Sequence, residues 1–173
     1  MSMDAANNQG IHIRQAVEAD LPFLRGESEA PYLKFLFHTA FQGMKRDEQI
    51  MWVVEKEGQG VVGHVFVQFK SIRNTLADGV ERAYFYSFHV YQEYRGFGVG
   101  TQLLKHLEAD LLRRGFQIVT LTVAKENERA RELYQRNGYL VTGTEVINVR
   151  SNQVHGEWKR DEELAWRMEK RLF

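Results

Sequence analysis

Apolar and polar residues alternate along much of this chain with the two-residue period of β-strands. Runs of this kind, rich in β-branched and aromatic residues, predict strands at residues 11–14, 49–57, 61–70, 83–91, 117–124, 139–150 and 163–171. The segment 58–60, with a glycine at each end, predicts a hairpin between the second and third of these strands. The polar stretch 151–162 predicts a loop before the last strand.

Helical spacing fills the intervals between these strands. Asp20 is expected to cap a first helix with Pro22 just inside it, and the aromatic-rich stretch to about residue 42 predicts two short helices broken near Pro31. Between the fourth and fifth strands, apolar residues recur at helical spacing over 101–114, and Gly115 provides the stop. This helix is expected to pack on the sheet with its N-terminus facing the preceding loop.

A further helix is predicted after the fifth strand. Asn127 is a good N-cap, Glu128 places a favourable charge in the first turn, and Gly138 ends the helix. The fifth strand is an almost continuous apolar and β-branched run, which is typical of a buried parallel strand. The order of elements therefore predicts an α/β fold with a mixed sheet.

Composition narrows the possible functions. The chain has 173 residues and is expected to form a single domain over 11–173, preceded by a flexible polar segment, 1–10. Lysine and arginine total 23, as do aspartate and glutamate, so the charge balance favours neither nucleic acid nor a membrane as partner. Cysteine is absent, which excludes disulfides and thiolate chemistry. No signal peptide or apolar run of about 18 residues is visible, and a cytoplasmic location is expected.

The most informative segment is the glycine-rich run 95–101, at the junction between a predicted strand and a predicted helix. Gly96, Gly98 and Gly100 leave the backbone bare at a helix start, where unpaired N–H groups and the helix dipole favour an anion such as phosphate. The spacing lacks the third glycine of a dinucleotide fingerprint and the lysine of a P-loop. The partner motifs of a protein kinase are also missing.

This loop resembles the acyl-CoA loop of the GNAT N-acetyltransferase superfamily, whose pattern is Arg/Gln-x-x-Gly-x-Gly/Ala. Arg95, Gly98 and Gly100 match the pattern, although Gln92 stands where many members have proline. A second block of the family follows about thirty residues later and matches at Asn127, Ala130, Leu133, Tyr134, Gly138 and Tyr139. Two ordered blocks argue against chance agreement, and the resemblance covers about residues 11–171.

The resemblance implies a mixed, mostly antiparallel twisted sheet of six to seven strands, splayed near its middle and flanked by about four helices. It also implies acetyl-CoA as co-substrate, held by the glycine loop, the splayed strand end and one helix face. The residues implied to bind it are Phe88, Val90, Arg95, Gly96, Phe97, Gly98, Val99, Gly100, Thr101, Asn127, Ala130 and Tyr134. Candidates for the 3′-phosphate contact are Lys125, Arg129, Arg131 and Arg136.

Acyl transfer to an amine needs a polarised carbonyl, a donor to the departing thiolate and a base. The resemblance places the main-chain N–H of Val90 at the carbonyl and Tyr134 at the thiolate. A tyrosine pKa of about 10 lies above a thiol's of about 8.5, so full proton transfer costs roughly 2 kcal/mol and Tyr134 is expected to act mainly as a hydrogen-bond donor. His89 and Glu93 are weak candidates for the base, with Glu81 behind them and ordered water as an equal alternative.

The function expected from these residues is acetyl-CoA-dependent N-acetylation of a primary amine by direct attack in a ternary complex. The alternative is a non-catalytic acyl-CoA-binding or sensor module of the same fold. No metal-binding spacing appears among the six histidines. The acceptor stays open between polyamines, amino acids, antibiotics and protein amines, and a homodimer is possible on the resemblance alone.

Overall fold

The computed structural model describes residues 10–25, 31–154 and 157–173, so all but Gly10 of the expected flexible segment lies outside the described residues. The strands are β1 (Ile11–Gln15), β2 (Gln49–Lys56), β3 (Gly60–Gln68), β4 (Arg82–Val90), β5 (Ile118–Ala124), β6 (Leu140–Val154) and β7 (Glu157–Arg171). Within the described residues they form one seven-stranded sheet in the order β1-β2-β3-β4-β5-β7-β6. Every neighbouring pair is antiparallel except β4 and β5, which are parallel. The predicted mixed, mostly antiparallel sheet is confirmed.

The helices are α1 (Pro31–Lys45), α2 (Val99–Arg113) and α3 (Glu128–Arg136), with short 3-10 helices at Glu18–Phe23 and Gln92–Tyr94. The α2 helix begins two residues earlier than predicted, because Gly98 adopts a left-handed φ of 81° and serves as its N-cap. The second half of the glycine loop is therefore the first turn of a helix.

The prediction for residues 20–42 is wrong in two respects. Asp20 does not cap a helix; it lies inside the first 3-10 helix, where its Oδ2 accepts the Val17 N–H at 2.8 Å and both its oxygens accept from Arg14. The predicted break near Pro31 is present, since α1 begins at this residue after the 3-10 helix Glu18–Phe23, but α1 is a single helix of 15 residues rather than a short one. Proline is favoured there because the first turn of a helix does not use its missing N–H.

The polar loop predicted at 151–162 is also wrong. Strands β6 and β7 are each 15 residues long and pair from Asn148 with Glu162 out to Val154 with Glu157; residues 155–156 lie outside the described residues. An antiparallel ladder satisfies backbone groups whatever the side chains are, so a polar sequence can continue a hairpin beyond the packed part of the sheet.

The parallel pair in the middle of the sheet separates soon after it forms. Strands β4 and β5 are in register only from Arg82–Tyr84 to Ile118–Thr120, and the rest of β4 pairs with β3 alone. The carboxyl half of β4 therefore borders a gap, as the resemblance implied. Gaps of this kind at the carboxyl ends of parallel strands are common binding places for ligands.

The two faces of the sheet carry separate hydrophobic clusters. On one face, called here the α2 face, α2 and α3 pack through a core that includes Leu103, Leu107 and Tyr134. On the other, the α1 face, α1 packs against β2 and β3 through Phe37, Phe41, Met51 and Phe66. The gap between β4 and β5 thus connects two differently built surfaces.

Candidate active site

A cleft of about 320 Å³ lies on the α2 face, between the end of β4, the start of α2 and one side of α3. Ten of the twelve residues predicted to bind the cofactor line it, namely Phe88, Val90, Arg95, Gly96, Gly98, Gly100, Thr101, Asn127, Ala130 and Tyr134. Phe97 and Val99 do not line it, and Val99 is buried in the core beneath α2. Leu133, which belongs to the second sequence block, and Tyr94, which no pattern singled out, complete part of the wall.

The three glycines of the loop are needed for different physical reasons. Gly96 and Gly98 hold φ values of 86° and 81°, which residues with a Cβ rarely adopt. Gly100 is helical, but a Cβ there would lie 3.3 Å from Leu133 Cδ2 and 3.6 Å from the Phe88 ring. The first two glycines therefore shape the loop, and the third permits close packing at the helix start. Gly98, Gly100 and Thr101 at this helix start line the cleft, and the free N–H groups of a first helical turn suit a phosphate.

A bulge reshapes the end of β4. Phe66 on β3 pairs with Tyr86, but two residues away His64 pairs with His89, so β4 contains one residue more than its partner. Ser87 takes up the excess with a left-handed φ of 50°, which is uncommon for a residue with a side chain. Because of the bulge, Phe85 and Phe88 pack on the same face although they are three residues apart in one strand. No pattern in the sequence predicted this bulge.

The main chain of Val90 is directed into the gap. Tyr91 donates its N–H to the Val62 carbonyl at 2.9 Å, and in an antiparallel ladder the next residue turns its backbone groups the opposite way. The Val90 carbonyl indeed accepts from Arg95 Nε at 2.7 Å. The neighbouring β3 position is Gly63, where a Cβ would lie 2.9 Å from the His89 carbonyl oxygen. Gly63 therefore allows β3 to approach the bulged strand end closely.

Arg95 braces the loop as well as lining the cleft. Its Nε bond to Val90 ties the glycine loop to the strand end that it follows. Of the four basic residues near α3, Arg129 and Arg136 line the cleft. Lys125 instead stacks over the Trp166 ring at 4.1 Å, and Arg131 does not line the cleft. The structure thus reduces four candidates for a phosphate contact to two.

Tyr134 is a buried residue of α3 that lines the cleft. Its ring meets Phe85, Phe88 and Tyr139 edge-on, with centroids 5.6 to 5.9 Å away. Burial raises the pKa of its hydroxyl well above the ordinary tyrosine value. Among the described residues no side chain or backbone group hydrogen-bonds this hydroxyl, so it is available to a ligand in the cleft. Asn127 caps α3 by accepting the Ala130 N–H at 3.2 Å and also lines the cleft.

The base candidates occupy three different environments. His89 points away from the core face of Phe88 and Val90, and its ring lies 5.8 Å from His64 and 5.7 Å from Tyr91. Glu93 is on the surface, 3.1 Å from Arg25. Glu81 precedes β4, and its carbonyl accepts the N–H groups of residues 117 and 118, far along the strand from Val90.

His64 is a buried polar residue that the sequence did not single out. Its side chain is fully enclosed on the α1 face, and its Nε2 lies 2.7 Å from the Arg25 carbonyl, so it donates a hydrogen bond there. Burial lowers the pKa of His64 to about 4. The neutral ring stacks on Phe66 and meets Phe37 edge-on, which makes it part of the wall beneath the bulge.

The α1 face carries polar groups beside the gap. The Tyr84 hydroxyl lies 3.0 Å from Thr122 Oγ1, and this contact joins β4 to β5 just where they part. Tyr86 stacks on Tyr84 and donates to Gln49 at 2.5 Å. Burial raises the pKa of the Tyr84 hydroxyl, so it stays protonated at neutral pH. None of these side chains was predicted, because their partners are distant in sequence.

Comparisons with known proteins agree with this geometry. The model of the acetyltransferase (GNAT) family matches residues 12–139. An uncharacterised N-acetyltransferase of Bacillus subtilis is 25% identical over 58% of this chain and 62% of its own length, and one of Methanocaldococcus jannaschii is 36% identical over 56% and 41%. The chain therefore spans less than two thirds of the length of the curated relatives it matches.

Solved structures share the fold. A spermidine N-acetyltransferase from Vibrio cholerae, in complex with CoA and spermine, has a TM-score of 0.67 at 18% identity and covers 95% of this chain and 97% of its own. A ribosomal-protein-alanine N-acetyltransferase from Brucella melitensis has a TM-score of 0.67 at 23% identity, covering 93% and 99%. No helix in the described part of the chain is long and apolar enough to cross a membrane.

Proposed function

Because the chain belongs to the acetyltransferase (GNAT) family, we propose that it is an acetyl-CoA-dependent N-acetyltransferase that transfers the acetyl group directly to a primary amine. The observation that carries this proposal is the convergence of three groups on one cleft. The α2 N-terminus suits a pyrophosphate, the Val90 N–H faces the gap, and the Tyr134 hydroxyl is open to a ligand. A CoA complex of a protein with the same fold supports the choice of donor.

The residues of the cleft fit acetyl-CoA. Gly96, Gly98 and Gly100 supply a loop that a Cβ would strain or crowd, and Arg129 and Arg136 add positive charge for phosphate. Ala130 and Leu133 offer a small apolar wall of α3 for the pantetheine arm. When bound, acetyl-CoA supplies the activated acyl group; the protein supplies orientation and hydrogen bonds.

Each of the reacting groups has a defined task. The Val90 N–H stabilises negative charge that develops on the acyl oxygen as the amine attacks. Tyr134 donates a hydrogen bond to the sulfur that departs. Because burial raises the pKa of Tyr134, giving up its proton completely would cost more than the roughly 2 kcal/mol expected from reference values, so hydrogen-bond donation is its role.

The attacking amine must lose a proton, and His89 is the better placed of the side-chain candidates. It belongs to the bulged end of β4 and is among the residues that line the cleft, while its ring lies on the α1 face, beside His64 and Tyr91. Glu93 is paired with Arg25 on the surface and does not line it. His89→Gln is expected to abolish a pH-dependent limb of kcat/KM, because the variant side chain cannot accept the proton of the amine. If this limb persists in the variant, an ordered water is the proton acceptor instead.

The decisive experiment is release of free thiol from acetyl-CoA across a panel of primary amines. The wild-type protein is expected to turn over at least one amine, and Tyr134→Phe to lower kcat by about 100-fold or less with unchanged CoA affinity. Calorimetric titration with CoA measures that affinity separately. Wild-type turnover in Tyr134→Phe would contradict the role of the hydroxyl. Tight CoA binding without turnover of any amine would point to the non-catalytic module, which no observation on the structure favours.

A further inference from the structure

The last turn of α3, which carries Tyr134, ends in a Schellman motif. Gly138 has a left-handed φ of 90° and donates its N–H to the Gln135 carbonyl at 3.1 Å, and the Tyr139 N–H donates to the Tyr134 carbonyl at 3.0 Å. The rings of Tyr134 and Tyr139 also meet at 62°, with their centroids 5.9 Å apart. Tyr139 therefore contacts both the main chain and the ring of Tyr134.

Tyr139 is held in turn by a group of three side chains, called here the Glu108 cluster, which consists of Glu108 on α2, Tyr139 after α3 and Lys170 on β7. The Tyr139 hydroxyl donates to Glu108 Oε1 at 2.9 Å, and Lys170 Nζ donates to Glu108 Oε2 at 2.7 Å. Tyr139 is 1% exposed and the Glu108 side chain 13%, so these charge-assisted bonds lie largely out of water, where they are strong. The cluster joins α2, the end of α3 and β7 at one point.

The two helices that this cluster joins carry different parts of the cleft. The start of α2 lines it with Gly100 and Thr101, whereas α3 lines it with Ala130 and Tyr134. The helices approach each other closely at the start of α2, where a Cβ on Gly100 would lie 3.3 Å from Leu133 Cδ2. Glu108 is about 12 Å further along α2. Contacts at two separated points fix the orientation of α3 on α2 as well as the distance between them.

We propose that Glu108 and Tyr139 are positioning residues for acyl transfer, because their hydrogen bond fixes the Tyr134 hydroxyl relative to the start of α2; this rests on the proposed N-acetyltransferase function. Neither Glu108 nor Tyr139 lines the cleft, so both act through Tyr134. The hydrogen bond that Tyr134 donates to the departing sulfur depends steeply on distance and angle. A displacement of about 1 Å at a reacting group lowers rates by up to about 100-fold.

The test is a double-mutant cycle on kcat between positions 139 and 134. Tyr139→Phe keeps the ring but removes the bond to Glu108, and is expected to lower kcat about 10-fold with the KM for acetyl-CoA within about twofold of the wild type, because the glycine loop is unchanged. In a Tyr134→Phe background the same change is expected to alter kcat by less than about twofold, since the hydroxyl that it positions is gone.

Variants of two carboxylates on α2 separate positioning from a general loss of structure. Glu108→Leu is expected to lower kcat as Tyr139→Phe does, whereas Glu108→Gln can still accept the Tyr139 hydroxyl and should restore most of the rate. Asp110→Asn is the control, because Asp110 is buried on the same helix but accepts from Arg113 and Arg114 instead. It is expected to keep the wild-type kcat. Thermal melts verify that each variant is folded at the assay temperature.

The outcomes distinguish this proposal from the function on which it rests. An unchanged kcat in Tyr139→Phe, or an equal loss with and without the Tyr134 hydroxyl, overturns the positioning role while N-acetylation stands. If no amine is acetylated, the proposed function fails, and NMR of isotope-labelled tyrosine rings decides the positioning role. The Tyr134 resonance, assigned by its loss in Tyr134→Phe, is expected to shift when CoA binds to the wild type and to shift less in Tyr139→Phe. Equal shifts in the two proteins overturn the role.

Discussion

The two faces of the sheet form their sites in different ways. The cleft on the α2 face is built largely from main chain: left-handed glycines, a helix N-terminus and the backbone of a bulged strand end. The α1 face is built from side-chain pairs such as Tyr84 with Thr122 and Arg82 with Glu169, which are 38 and 87 residues apart. The cleft on the α2 face is thus shaped by backbone geometry, whereas the surface on the α1 face is shaped by side chains that meet from distant segments.

The largest effect on activity is expected from a substitution at Gly63 in β3, which pairs with Val90 at the end of β4. Gly63→Ala is expected to lower kcat about 100-fold, because its Cβ would lie 2.9 Å from the His89 carbonyl oxygen and would displace the strand end that holds Val90. Steady-state kinetics measure the change. Gly143→Ala is the matched control, since a Cβ there has no atom within 4 Å. Activity of Gly63→Ala within threefold of the wild type would show that the main-chain geometry tolerates movement.

Below neutral pH, the free energy of unfolding is expected to depend on His64, which is buried on the α1 face. Burial holds the pKa of His64 at about 4, against 6.5 in the unfolded chain, so between these values the unfolded state binds a proton that the native state does not. The contribution of this group lowers the free energy of unfolding by about 2 kcal/mol from pH 7 to pH 5. Chemical denaturation at both pH values measures it.

The control for that experiment is an exposed histidine. His64→Gln is expected to remove this part of the pH dependence, whereas His12→Gln, in β1 and exposed, should keep it. An unchanged pH dependence in His64→Gln would mean that other groups are responsible and that the pKa of His64 does not differ between the native and unfolded states.

A smaller effect is expected from glycine substitutions at the two ends of α2, which distinguish a loss of stability from a loss of CoA binding. Gly98 and Gly115 both have left-handed φ values, of 81° and 92°, so alanine at either position is expected to cost about 1–2 kcal/mol of stability. Only Gly98→Ala should weaken CoA binding, by about tenfold, because Gly98 lines the cleft and caps the helix start. Thermal melts and calorimetry test both variants. Equal CoA affinity in the two would remove the helix start from the binding site.

The smallest effect is expected at Glu93. Its pair with Arg25 has side chains 53% and 62% exposed, so solvent screens the attraction and the pair adds little to stability. Glu93→Gln should change kcat by less than twofold at pH 7 and leave the pH profile in place. Loss of the alkaline plateau in this variant would restore Glu93 as the base and weaken the case for His89.

Prediction from sequence succeeded where a short stretch of chain determines its own conformation. The glycine run, the Asn127 cap and the period-two strands each depend on residues within a few positions of one another. It failed at Asp20, because the position of this side chain depends on its bonds with Arg14. It also failed at 151–162, because these residues form strands only by pairing with each other in the hairpin of β6 and β7. Ser87 had no signal at all, because a bulge exists only relative to the register of β3.

The sequence by itself determined the family, most of the strand and helix order and ten of the residues that line the cleft on the α2 face, since these follow from local spacing and two compact motifs. The tertiary structure alone decided the direction of the Val90 peptide, the register that makes Ser87 a bulge and the buried neutral state of His64. Each of these depends on which groups from distant segments come together around a splayed pair of strands, and pairing across the sheet carries no local signal in the chain.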